Sequence, residues 1–95
     1  MNNKKNISLH VLFFANLREQ IGLNSIVWEI SSSSTVRDII IRISNEFNVS
    51  ELIISKYLYA INNEYVDIDT KFKNQDELAI IPPVSGGSKW MKIFL

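Results

Sequence analysis

Side-chain chemistry finds little to work with in this chain. There is no cysteine and a single histidine, His10, so disulfides, thiolate metal sites and cysteine nucleophiles are excluded. His10 alternates onto the same face as Ser8, where a solvated surface histidine is expected, and no serine, histidine and acid constellation assembles around it. The carboxylates Glu64, Asp67, Asp69, Asp76 and Glu77 fall in turns without histidine or cysteine among them. They read as solvated loop charges, and no metal site is expected. The unusual feature is a stretch of backbone, Pro82-Pro83-Val84-Ser85-Gly86-Gly87. Two prolines stiffen it into an extended conformation, and two glycines then remove every side chain. Such a segment is thin enough to enter a narrow slot, and from Pro83 to Gly87 it reaches roughly 13–14 Å at about 3.3–3.6 Å per residue. It is not a phosphate loop, because it lacks that motif's downstream helix and lysine pattern. Taken alone, a Gly-Gly pair is an ordinary loop.

The elements that must position this segment are legible from periodicity. Ile7, Leu9, Val11 and Phe13 alternate with Ser8, His10, Leu12 and Phe14, so the first set reads as a core face. The second set turns apolar at Leu12 and Phe14, which predicts a contact patch at that end of the strand, running to Ala15. Gly22 and Asn24 mark a turn, and Ile26, Trp28 and Ile30 share one face of a second strand, which makes a hairpin. After the Ser31–Ser34 loop, Thr35-x-x-Asp38 has capping-box spacing. Val36, Ile39, Ile40, Ile43 and Phe47 then follow at helical spacing until Asn48. A weaker helical segment is expected over Ser50–Tyr57. Tyr59-Ala60-Ile61 and Glu64-Tyr65-Val66 read as short strands around an Asn62-Asn63 turn, and Asn74-Gln75-Asp76 as another turn. Glu77–Ile81 is the last strand, with Leu78 and Ile80 inward and Ile81 outward, ended by Pro82-Pro83.

Composition sets the limits. Ninety-five residues, 46% hydrophobic, make one small globular domain. Ten basic and ten acidic residues cancel to zero net charge, which argues against a nucleic-acid partner, a β-grasp RNA-binding module included. No apolar run approaches the roughly 20 residues that cross a bilayer, and Met1–Lys5 leads into alternating residues with no signal core. A soluble cytoplasmic protein without a membrane partner is expected. The order strand, strand, helix, strand, short strand, strand predicts an α+β chain. Its expected form is a β-grasp, ubiquitin-like, with a mixed sheet of about five strands and one main helix across it. Ferredoxin-like α+β folds share these ingredients but begin differently. The expected divisions are a disordered N-terminus at 1–6, the domain at 7–83, a glycine tail at 84–87 and an extension of unknown role at 88–95.

Val11-Leu12-Phe13-Phe14-Ala15 with Leu17-Arg18-Glu19 and Gly22 resembles the first strand and turn of the molybdopterin synthase small subunit, the MoaD family. The closing run from Asp76 to Gly87 resembles that family's last strand and tail almost position for position, and Thr35-Val36 and Ala60-Ile61-Asn62 match between them. The resemblance covers Ile7 to Gly87, with its specificity at the two ends. It implies a sulfur carrier. An E1-like adenylating partner uses ATP to activate the carboxylate of Gly87, and sulfur replaces AMP to leave a thiocarboxylate. The tail, with Gly86 as its slender neighbour, then inserts into the large synthase subunit of a heterotetramer, where sulfur passes to a cyclic pterin precursor. No cofactor is bound by the carrier itself. Phe14, Tyr65 and Ile81 match the family's hydrophobic docking positions, Arg18 a polar contact nearby, and Pro82, Pro83 and Val84 the partner-facing exit of the tail. A thiamine-pathway carrier or a ubiquitin-like protein modifier, both also activated at Gly87, are the alternatives.

The chain departs from the family at Ser88-Lys89-Trp90-Met91-Lys92-Ile93-Phe94-Leu95. Family members normally end at the second glycine, whereas here the Gly87 carbonyl lies in a peptide bond to Ser88. A precursor segment removed after Gly87 is the preferred explanation; an artificial extension or a chain that kept only its binding surface are the others.

Overall fold

The computed structural model describes residues 5–82. Its elements run β1 (Asn6–Phe13), α1 (Ala15–Ile21), β2 (Ser25–Ser31), α2 (Val36–Phe47), α3 (Glu51–Ile54), β3 (Leu58–Ile61), β4 (Glu64–Val66) and β5 (Asp76–Ile81). The strands form one sheet in the order β2-β1-β5-β3-β4. β1 pairs antiparallel with β2 and parallel with β5, while β3 pairs antiparallel with both β4 and β5. A hairpin, a helix laid across a mixed sheet and a last strand inserted centrally make the β-grasp architecture. No helix among the described residues is long and apolar enough to cross a membrane.

Alternation sorts the strand residues as expected. Leu9, Val11, Phe13, Leu78, Ile80, Tyr59 and Ile61 face inward and join Val36, Ile39, Ile40 and Ile43 of α2 in one core. α2 starts on a complete capping box: the Thr35 hydroxyl accepts from the Asp38 N–H, and the Asp38 carboxylate accepts from the Thr35 N–H at 2.9 Å. Two of the remaining N–H groups of its first turn, those of Val36 and Arg37, donate to the Thr70 and Ile68 carbonyls, so the β4–β5 connection anchors the helix start. Asn48 ends α2 in the left-handed region at φ 55°. Near its C-terminal end Phe47 stacks on Trp28 and meets Phe13 edge-on, and the Arg42 guanidinium lies 3.9 Å from the Trp28 ring centroid.

Four expectations need correction. The stretch Ala15–Ile21, read as a strand end and loop, is helix α1, closed by Gly22 at φ 86° with its N–H bonded to the Arg18 carbonyl. Its one fully buried side chain is Leu17, too little to print a periodic signal. The segment expected over Ser50–Tyr57 is helical only at Glu51–Ile54, because Tyr57 turns inward and is buried. β1 begins at Asn6, inside the stretch expected to be disordered, and the Lys5 carbonyl accepts from the Ser32 N–H. Asp76, read as a solvated turn charge, is buried. Its carboxylate accepts from Asn62 Nδ2 and from the Lys73 N–H, both at 2.8 Å, while Asn62 Oδ1 accepts from the Glu77 N–H. A buried carboxylate so satisfied is a structural clamp between the β3–β4 turn and the start of β5.

Asn62 and Asn63 both sit at positive φ, 51° and 74°, the two-residue turn that suits strand twist. Below that hairpin the Tyr59 hydroxyl donates to the Ile54 carbonyl. Burial, then the neighbouring Tyr57, pushes its pKa up to about 12 from 10.0. Below pH 10 both folded and unfolded chains keep this proton. Between about 10 and about 12 only the folded chain does, so stability falls as pH rises through that window. We expect Tyr59→Phe to cost about 1–2 kcal/mol near neutral pH, from the orphaned carbonyl, and to flatten most of the alkaline decline. Urea unfolding at a series of pH values measures both.

Candidate functional site

The face of the sheet opposite α2 carries the candidate site. Register places Ser25, Leu12, Ala79, Ala60 and Tyr65 in one row across all five strands. Ile81 and Leu58 make a neighbouring row toward the C-terminal end of β5. Val27, His10 and Glu77 make the row on the other side. His10 Nδ1 lies 3.6 Å from Glu77 Oε2, both side chains well exposed, so the histidine sits beside a carboxylate on the solvent face with no nucleophile in the pairing. Among the described residues, no three histidine or carboxylate side chains gather where they could hold a metal.

The row residues are mostly apolar, and several are wet. Tyr65 is 61% exposed, Val27 64% and Leu58 42%, while Leu12 and Ala79 are half-buried. Along the β3–β4 edge this surface runs into a groove of about 340 Å³ lined by Tyr57, Leu58, Tyr59, Tyr65, Val66, Asp67 and Ile68. An exposed apolar face of this kind marks a contact surface. What it offers chemically is a surface for binding.

The site residues expected from the sequence lie around this face. Tyr65 is on it and accessible. Phe14 follows β1 as the N-cap of α1 and is half-buried. Arg18 is exposed one turn into α1, its N–H donating to the Phe14 carbonyl. Ile81 shares the face by register, as its outward placement predicted, and is only 6% exposed. β5 is the central strand, so Ile81 has neighbours on both sides, whereas Tyr65 stands on the edge strand. Pro82, just past the strand, is buried too. Pro83, Val84, Gly86 and Gly87 lie outside the described residues, as does 88–95. Leu58, Ala60, Ala79 and Val27 were missed. Extending the alternation of Tyr59-Ala60-Ile61 back one residue would have put Leu58 beside Ala60.

Residues 11–87 match the ThiS family. The chain belongs to that family. Its relatives include the molybdopterin synthase sulfur carrier subunit of Chlamydomonas reinhardtii, 34% identical over 83 residues, which span 85% of this chain and 100% of the relative. The subunit of the same name from Haemophilus influenzae is 37% identical over 81 residues, 83% of this chain and 99% of that one. The solution structure of small archaeal modifier protein 1 from Methanosarcina acetivorans superposes with a TM-score of 0.73 at 24% identity, covering 87% of this chain and 99% of that one. A chain in the complex of subunits 1 and 2 of molybdopterin-converting factor from Helicobacter pylori gives 0.62 at 20%, covering 85% and 100%. The two structures share the fold. The ThiS match closes on the second glycine of the Gly86-Gly87 pair, leaving 88–95 beyond it.

If the open face serves contact and not folding, its exposed residues should be dispensable for stability. Tyr65→Ala and Leu58→Ser should each change unfolding free energy by no more than about 0.5 kcal/mol, while Leu78→Ala on the inner side should cost about 3 kcal/mol. Urea denaturation decides; a loss above about 1 kcal/mol at Tyr65 would assign the face to the fold.

Proposed function

We propose that this chain is the sulfur-carrying small subunit of molybdopterin synthase, with the carboxylate of Gly87 as its working group once residues 88–95 have been released. The observation that carries the proposal is the match along the full 83-residue length of a curated carrier subunit, together with a family match that ends on Gly87.

The chemistry follows from what the chain lacks and what its end supplies. Without cysteine it cannot hold sulfur on a side chain. A carboxylate is a poor electrophile, so a partner of the E1-like adenylating class first joins it to AMP from ATP, with pyrophosphate leaving. A sulfur nucleophile then attacks the acyl carbon and AMP departs, leaving a thiocarboxylate that is ionised at neutral pH and nucleophilic. Glycine at 86 and 87 lets the acyl group approach catalytic residues of another protein without a Cβ in the way. Pro82 and Pro83 direct the segment away from the ladder, and Val84 precedes the bare stretch.

Docking belongs to the sheet face. Tyr65, Leu58 and Leu12, with Phe14 and Arg18 at its margin and Ile81 as its floor, form the surface that meets the large subunit in a cytoplasmic heterotetramer. An aromatic side chain on an otherwise apolar surface is the residue type that dominates binding energy at such contacts. β5 is the central strand, and its end lies beside Leu58 on that surface, so the tail starts close to the docking residues.

The test is single-turnover transfer. A chain ending at a Gly87 thiocarboxylate, mixed with the large subunit, should pass its sulfur to the cyclic pterin precursor and return as the plain carboxylate. Tyr65→Glu should slow transfer at least roughly tenfold, a loss of about 1.4 kcal/mol in docking. Stable thiocarboxylate beside unconverted precursor, or Gly-Gly branches on lysines of other proteins, would contradict the proposal.

A further inference from the structure

The described chain leaves the sheet beside Leu58, the register partner of Ile81, and residues 88–95 that follow bring Trp90, Met91, Ile93, Phe94 and Leu95 with two lysines, Lys89 and Lys92. The groove at the β3–β4 edge lies next to that exit. Its walls are mainly apolar, from Tyr57, Leu58, Tyr65, Val66 and Ile68, and Asp67 also lines it. Asp67 accepts hydrogen bonds from the Asp69 N–H and the Thr70 hydroxyl, yet it has no cation within ion-pair distance among the described residues, whose ion pairs join other groups.

We propose that residues 88–95 dock in cis in this groove, Trp90 against Leu58 and Tyr65 and the two lysines toward Asp67. The unprocessed chain then covers its own contact face. Reach permits it: β4 lies two strand spacings from β5, about 10 Å, while the eight steps from Pro82 to Trp90 span up to roughly 26–29 Å. Gly86 and Gly87 allow the chain to double back, because they take backbone conformations closed to other residues. A tryptophan offers on the order of 150–250 Å² of surface to bury, and a short tether holds it near the groove at an effective concentration of about a millimolar or more. Asp67 in the groove wall is complementary in charge to Lys89 and Lys92. The functional meaning rests on the carrier reading, since the face covered is the one assigned to the large subunit. Cleavage after Gly87 would free the acyl end and uncover the docking face in a single step.

Amide spectra of the full chain and its Trp90→Ala variant test this directly. The amides of Leu58, Tyr65, Val66, Asp67 and Ile68 should shift between the two proteins, those of α2 should not, and the pattern should persist on tenfold dilution. Lys89→Glu with Lys92→Glu should shift the same amides in the same direction, but less. Unshifted groove amides would overturn the proposal, and so would shifts that vanish on dilution, which belong to a second copy. No activating enzyme or large subunit enters the measurement, so it stands or falls separately from sulfur transfer.

Discussion

Parallel pairing of β1 with β5 is the contact on which the rest of the molecule depends. It joins the first strand of the described chain to the last, with Val11 opposite Leu78 and Phe13 opposite Ile80, residues that are buried essentially completely. Remove it and the sheet falls into a β1–β2 hairpin and a three-stranded β5-β3-β4 piece, neither carrying the whole inner face that packs on α2. Because this contact is so distant in sequence, its chain-entropy cost is high. The apolar inner rows and the Asp76 clamp offset it. One consequence is functional: the chain leaves the sheet from its central strand, beside Leu58 at the end of β5.

Much of this was legible in the sequence because it is local and periodic. The strand faces of β1 and β2, the capping box and buried stripe of α2, and the asparagine turn of the second hairpin all repeat at distances that periodicity can read. Two things were not legible for a common reason. α1 buries only Leu17 fully, and its N-cap Phe14 offers no side-chain hydrogen bond to mark a helix start. Ile81 was assigned the correct face, but its depth was not legible, because depth depends on a strand's rank in the sheet, and rank is fixed by pairings between distant segments. Asp76 makes the same point for charge: its partners Asn62 and Lys73 meet it only once β5 has inserted.

The two sides of the sheet divide the work. The inner side holds the fold, and the outer side keeps Tyr65, Leu58 and Val27 exposed on one face, where a contact would bury them. In the reading proposed above, the reactive group is the end of the backbone, charged by one enzyme and spent inside another.

Intact mass of the chain ending at Gly87, after incubation with an E1-like activating enzyme, ATP and a sulfur source, probes this account most directly. The account predicts that sulfur replaces one oxygen of the Gly87 carboxylate, and that the chain retaining 88–95 keeps its mass unchanged. A trimmed chain that never gains sulfur, or a full chain that gains it as readily, would contradict it.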